Sequence, residues 1–135
     1  MNYFDRVLDA AKKASRQCML LNGHQAPQVI FVKQGQLGLV LIANMENEGD
    51  KDVAAAALNN FRKDCEVVAF IAESWIGSDI TVKPSEDPKR KEALVIVITA
   101  LSGRQEVWMA EVKRNPTRVE PWVQKSGPAS GRFIR

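Results

Sequence analysis

The sequence is poor in the residues that build metal and redox centres. Its single histidine, His24, has no second histidine and no cysteine at metal-ligand spacing, which argues against a zinc site. Only two cysteines are present, Cys18 and Cys65, and they do not form a Cys-x-x-Cys pair. We interpret them as reduced thiols in packed positions, which is typical of a cytoplasmic protein. We predict neither a metal nor a cofactor.

Long apolar segments are also missing. The longest stretch without Asp, Glu, Lys, Arg or His is residues 34–45, which is only 12 residues, whereas a helix needs roughly 20 apolar residues to span a membrane. Residues 1–22 carry six charged side chains, so they lack the apolar core of a secretory signal. No serine lies in Gly-x-Ser-x-Gly, and no nucleotide-binding glycine motif is present. The sequence therefore predicts a protein that does not contact membranes and carries no complete catalytic motif.

The centre of the chain contains two strongly apolar segments, residues 67–75 and residues 93–101. Both are apolar at odd and even positions, which is typical of strands buried on two faces rather than one. We therefore predict that they are the central strands of a sheet. The polar residues 77–92 connect them.

The flanking segments predict the rest of the fold. Apolar residues recur every three or four positions from Phe4 to Cys18, which predicts an amphipathic helix that begins at Asn2 and ends at Gly23. Two apolar segments around the turn 34–36 predict a β-hairpin. A second helix and a last strand are predicted over residues 51–63 and 106–112. The order α-β-β-α-β-β-β indicates an α+β fold, with a five-stranded, mostly antiparallel sheet and two helices packed on it.

Charge is distributed unevenly along the chain. Residues 1–112 hold 13 Lys or Arg against 15 Asp or Glu, whereas residues 113–135 hold six basic residues and one acidic residue. We interpret this as a single α+β domain, residues 1–113, followed by an extended basic tail, residues 114–135. The tail also contains Trp122 and Phe133. It could therefore bind phosphates and stack on bases, bind an acidic groove of a protein, or remain a solvated terminus.

The polar connection carries a recognisable pattern. Glu73 and Trp75 precede it, and Pro-Ser-Glu-Asp-Pro-Lys-Arg-Lys-Glu closes it at residues 84–92. This resembles a group of small uncharacterised proteins from bacteria and their phages, which carry Glu-Ala-Trp followed by Pro-Ser-Glu-His-Pro-x-Arg-x-Glu. Ser74 replaces the alanine of that pattern, and Asp87 replaces its histidine. The resemblance extends over residues 1–113 and implies a shared architecture, with no activity attached to it.

The connection itself allows three interpretations. Glu86 and Arg90 could join its two limbs by charge-assisted hydrogen bonds, or the charged residues could form a partner-binding surface. Carboxylates that converge there could instead bind a cation or act as acid and base. Glu73 needs an explanation of its own, because a carboxylate in a central strand is costly to bury without a partner. Either Arg90 pairs with it, or the strand has reached solvent at that point.

We predict a small non-enzymatic binding or regulatory protein, encoded by a phage or another mobile element. It would contact a larger host protein or nucleoprotein complex, for instance to inhibit a host defence complex. One alternative is an accessory protein that binds nucleic acid through the basic tail. Another is an enzyme that uses Glu73, Glu86 and Glu92. The candidate partner-binding residues are Glu73, Trp75, Glu86, Asp87, Arg90, Arg114, Arg118, Trp122, Lys125 and Arg132.

Overall fold

A computed structural model describes residues 2–41, 63–76 and 91–125 of the protein. These residues form an α-helix and an antiparallel sheet, so the α+β class is confirmed. The second predicted helix, residues 51–63, lies outside the described residues except for its last position. The elements are α1 (Tyr3–Asn22), β1 (Gln28–Lys33), β2 (Gln36–Leu41), β3 (Val67–Ile76), β4 (Lys91–Ala100), β5 (Gln105–Lys113), β6 (Arg118–Val119) and β7 (Val123–Lys125).

The strands follow the order β2-β1-β3-β4-β5-β6, and β7 also pairs with β5. β3 and β4 pair over their full lengths at the centre, which confirms the predicted position of the two apolar segments. The predicted number of five strands is wrong. Two short strands beyond residue 113, β6 and β7, pair with β5, so the described sheet has seven strands and β5 is an interior strand.

The ends of α1 follow from local backbone chemistry. The Asn2 side chain accepts a hydrogen bond from the Asp5 amide at 2.9 Å, and so caps one of the free donors of the first turn. Gly23 ends the helix in the left-handed region, with φ of 78°, and its amide donates to the Met19 carbonyl. Both ends lie where the sequence predicts them.

The hairpin between β1 and β2 turns through Gln34 and Gly35. Both residues have positive φ, 52° and 76°, as a two-residue hairpin turn of the favoured twist requires. The Phe31 ring lies over Gly38 on the neighbouring strand, in the space where any other residue would place its Cβ. A glycine is therefore needed at position 38.

The core has two sides because both faces of the central strands are buried. On the face that contacts α1, here called the α1 face, the side chains of Ile71, Ile96 and Ile98 are completely buried. On the opposite face, here called the far face, Phe70 and Val97 are 5% and 7% exposed. Burial on both faces explains why the two segments carry apolar residues at both odd and even positions.

Charged and aromatic side chains connect α1 to β5 and to the turn that precedes β5. The Lys12 ammonium lies 3.3 Å from the centre of the Trp108 ring, and the Arg104 guanidinium lies 3.9 Å from the centre of the Phe4 ring. Glu106 joins the two contacts, since it accepts hydrogen bonds from Arg104 and from the Trp108 indole.

Candidate partner-binding surface

The structure separates the predicted site residues into three sets. Glu73, Trp75 and Trp122 lie on the α1 face, Arg114 lies in the turn after β5, and Arg118 and Lys125 lie on the far face. The remaining predicted residues fall outside the described part of the chain; they are Glu86, Asp87, Arg90 and Arg132.

Glu73 is a half-buried residue inside β3, which continues to Ile76. Its carboxylate accepts a hydrogen bond from the backbone amide of Gln25, in the segment between α1 and β1. This contact supplies a partner for the carboxylate within the described structure. The suggested pairing with Arg90 stays a prediction, because Arg90 is not described.

Arg114 forms an ion pair within the protein. Its guanidinium donates two hydrogen bonds to the Glu92 carboxylate, one of them at 3.1 Å, and a third to the Thr117 hydroxyl at 3.3 Å. The hydrogen bonds with Glu92 raise the pKa of Arg114. Arg114 thus joins the turn after β5 to the beginning of β4, and Glu92 is paired rather than available as a free acid or base.

The chain from Arg118 to Lys125 runs along β5 as one strand interrupted by a bulge. Val119 pairs with Val112, and Val123 pairs with Met109. Between these pairs, two residues of β5 stand opposite three residues of the other strand, 120–122. One extra residue in one strand is the definition of a β-bulge. Pro121, which has no amide hydrogen, lies within it.

The bulge decides which face each side chain occupies. Arg118 and Lys125 are seven positions apart, so in an uninterrupted strand they would point to opposite faces. The extra residue of the bulge shifts the alternation by one position, so both side chains lie on the same face. Arg118 pairs with Lys113, and Lys125 pairs with Val107, both on the far face of β5.

Two further lysines join them on the far face. Lys113 and Lys91 both contact the Glu111 carboxylate, at 2.9 Å and 3.4 Å. Lys91, Lys113 and Arg118 therefore stand on three successive strands, about 4.8 Å apart from strand to strand. Lys125 lies about 20 Å further along β5, from the rise of about 3.3 Å per residue. We call Lys91, Lys113, Arg118 and Lys125 the basic patch.

The side chains around the basic patch are apolar and partly exposed to solvent. Val107 and Met109 are half-buried between its two ends, and Val123 is 61% exposed. Glu111 is the single carboxylate that strands β4 to β7 place on the far face. Hydrogen bonds from Lys113 and Lys91 lower the pKa of Glu111, so it stays ionised and holds the two lysines side by side. Counted over strands β4 to β7 and the bulge with its Glu120, the charge of the patch is net positive.

Trp122 does not belong to this surface. The bulge turns its indole to the α1 face, where it packs against the cluster of Met19, Leu94, Ala110 and Val112. Trp122 is half-buried there. The side chain thus anchors the strand that carries Arg118 and Lys125, and this role accounts for an aromatic residue between two cations.

Lys91 and Lys113 were missed as candidate site residues in the sequence. Alternation within residues 106–112 was visible, and it puts positions 111 and 113 on one face. What the sequence did not signal was that a further strand would pair beside them and bring Arg118 to the same row.

Within residues 2–41, 63–76 and 91–125, no group of three or more His, Cys, Asp or Glu side chains is arranged to bind a metal ion. The described chain also has no helix of the length and apolarity that crossing a membrane requires. No protein-family model, curated protein or solved structure matches the chain. The surface itself is therefore the basis for inferring a function.

Proposed function

We propose that the protein is a small non-enzymatic binding protein that uses the basic patch to attach to an acidic surface of a larger protein. One observation carries the proposal. A bulge of one residue brings Arg118 and Lys125 onto the face that already holds Lys91 and Lys113. Clustered charge of one sign attracts a complementary surface and accelerates association. Binding of this kind would regulate the partner by occupying its acidic surface.

A protein partner fits this surface better than a nucleic acid. Proteins that bind single strands without sequence preference combine cations with aromatic side chains on which bases stack. Strands β4 to β7 present no aromatic residue on the far face, since Trp108 and Trp122 both lie on the α1 face. Instead, Val107, Met109 and Val123 lie between the cations. Apolar residues with a charged rim are typical of protein–protein interfaces, in which methionine is enriched.

The test is a charge reversal with a matched control. The patch variant is Arg118→Glu combined with Lys125→Glu. The control is Arg6→Glu combined with Arg16→Glu, two exposed arginines of α1 that produce the same change in net charge. Tagged wild type and both variants are used to capture proteins from a nuclease-treated bacterial lysate. We expect wild type and control to retain a common protein partner, and the patch variant to lose it.

Two outcomes would contradict the proposal. Equal capture by all three proteins would show that the basic patch is not the binding surface. Binding of purified wild type to single-stranded RNA or duplex DNA, lost in the patch variant, would favour the nucleic-acid alternative. In that case log affinity should fall against log salt by about 0.7 to 0.9 per phosphate contact.

A further inference from the structure

The two edges of the described sheet are built differently. The edge formed by β6 and β7 contains a bulge, Pro121 and the two cations Arg118 and Lys125, all of which discourage pairing with another strand. The edge formed by β2 has none of these features. Its sequence, Gln-Leu-Gly-Leu-Val-Leu, has no charge and no proline, and it pairs with β1 over six residues without a bulge.

The β2 edge also exposes apolar side chains. Leu37 and Leu39 are 66% and 59% exposed, although their partners on β1, Val32 and Ile30, belong to the core under α1. Tyr3, which is 45% exposed, places its hydroxyl beside Gly35 at the end of the same hairpin. A regular, uncharged edge strand with adjacent exposed leucines is a template for pairing with another strand.

From these features we propose that β2 pairs with β2 of a second copy of this chain, antiparallel and about a twofold axis, to form one continuous sheet. Charge favours a second copy over a charged partner. An acidic or basic strand would find no opposite charge on residues 36–41, whereas two copies of β2 bring no like charges together. The twofold also places each exposed leucine row beside the same row of the other copy.

The position of the basic patch is compatible with this arrangement. β1 and β3 separate β2 from β4, where the patch begins, so the two patches lie at opposite ends of the joined sheet. Their mutual repulsion is therefore small at physiological salt, because the separation exceeds the screening length of about 8 Å. The pairing goes beyond the proposed function and does not depend on it.

The test measures the mass of the full chain by analytical ultracentrifugation over a wide range of concentration. We expect a monomer–dimer equilibrium for wild type. Leu39→Lys places two like charges near the twofold axis and removes apolar contact, so it should weaken dimerisation by about tenfold or more. The control, Val123→Lys, introduces the same charge at an exposed apolar position of the opposite edge and should leave the equilibrium unchanged.

A second measurement does not depend on the variants. Hydrogen exchange of the β2 amides should slow as protein concentration rises, while exchange of the β7 amides stays constant. A wild type that remains monomeric throughout would overturn the proposal, as would a dimer that Val123→Lys disrupts and Leu39→Lys does not. If Leu39→Lys fails to fold, as judged by circular dichroism, Leu37→Lys at the neighbouring exposed position decides between these outcomes.

Discussion

Replacement of Trp122 by alanine tests whether the strand that carries Arg118 and Lys125 is anchored as the structure describes. A tryptophan buries about 150–250 Å² when it packs, and the half-buried indole of Trp122 removes about 100 Å² from water. At about 25 cal/mol per Å², Trp122→Ala should lower the free energy of unfolding by about 2.5 kcal/mol. For a chain of this length, Tm should then fall by about 5–10 °C.

Circular dichroism is the appropriate assay, because the variant lacks one of the fluorescent side chains. Val123→Ala is the control, since its side chain is 61% exposed on the other face and its loss should change stability by less than about 0.5 kcal/mol. Hydrogen exchange should show faster opening of residues 118–125 in Trp122→Ala only. Equal Tm values for the two variants would refute the reasoning and return Trp122 to the set of partner-binding candidates.

Two further predictions concern the hairpin and the loss of stability at acid pH. Gly38→Ala should lower the free energy of unfolding by about 1–3 kcal/mol, because its Cβ would lie 2.2 Å from the Phe31 ring. Urea denaturation checks this. The loss of stability should be smaller in a Phe31→Leu background, and an equal loss there would show that the ring is not the obstacle. Lys113 and Lys91 lower the pKa of Glu111 in the folded protein, so its contribution to stability is present above its unfolded-state pKa and is lost as pH falls through its folded pKa. Glu111→Gln should therefore flatten the dependence of the urea midpoint on pH in the acid range. An unchanged profile would show that the contacts of Glu111 with Lys113 and Lys91 do not contribute to this dependence.

Local signals in the sequence correctly predicted α1 and the strands β1 to β4. Asn2 and Gly23 limit α1 because capping depends on backbone groups within one turn of each residue. The hairpin follows from a short turn between apolar segments, and the central position of β3 and β4 follows from apolar residues at both odd and even positions. Each of these properties is encoded by neighbours along the chain.

The C-terminal part was predicted less well. The sequence indicated a basic tail, since cations outnumber acids there, but not that residues 118–119 and 123–125 pair with β5. Strands of two and three residues are too short to show a period of two, and a bulge interrupts whatever alternation remains. Their pairing instead requires the exposed side of β5 and the apolar cluster that receives Trp122.

The set of cations on the candidate surface also depends on contacts between segments that are distant in the sequence. The order of residues is enough to show that cations concentrate near the C-terminus, that two central strands are buried on both faces, and that a helix and a hairpin precede them. Which cations share a surface depends on how distant segments pair. Arg114 pairs with Glu92 of the α1 face, whereas Arg118 and Lys125 lie on the far face with Lys91 and Lys113. This is because side-chain direction in a strand depends on register, and register here depends on one extra residue in a strand that pairs with β5.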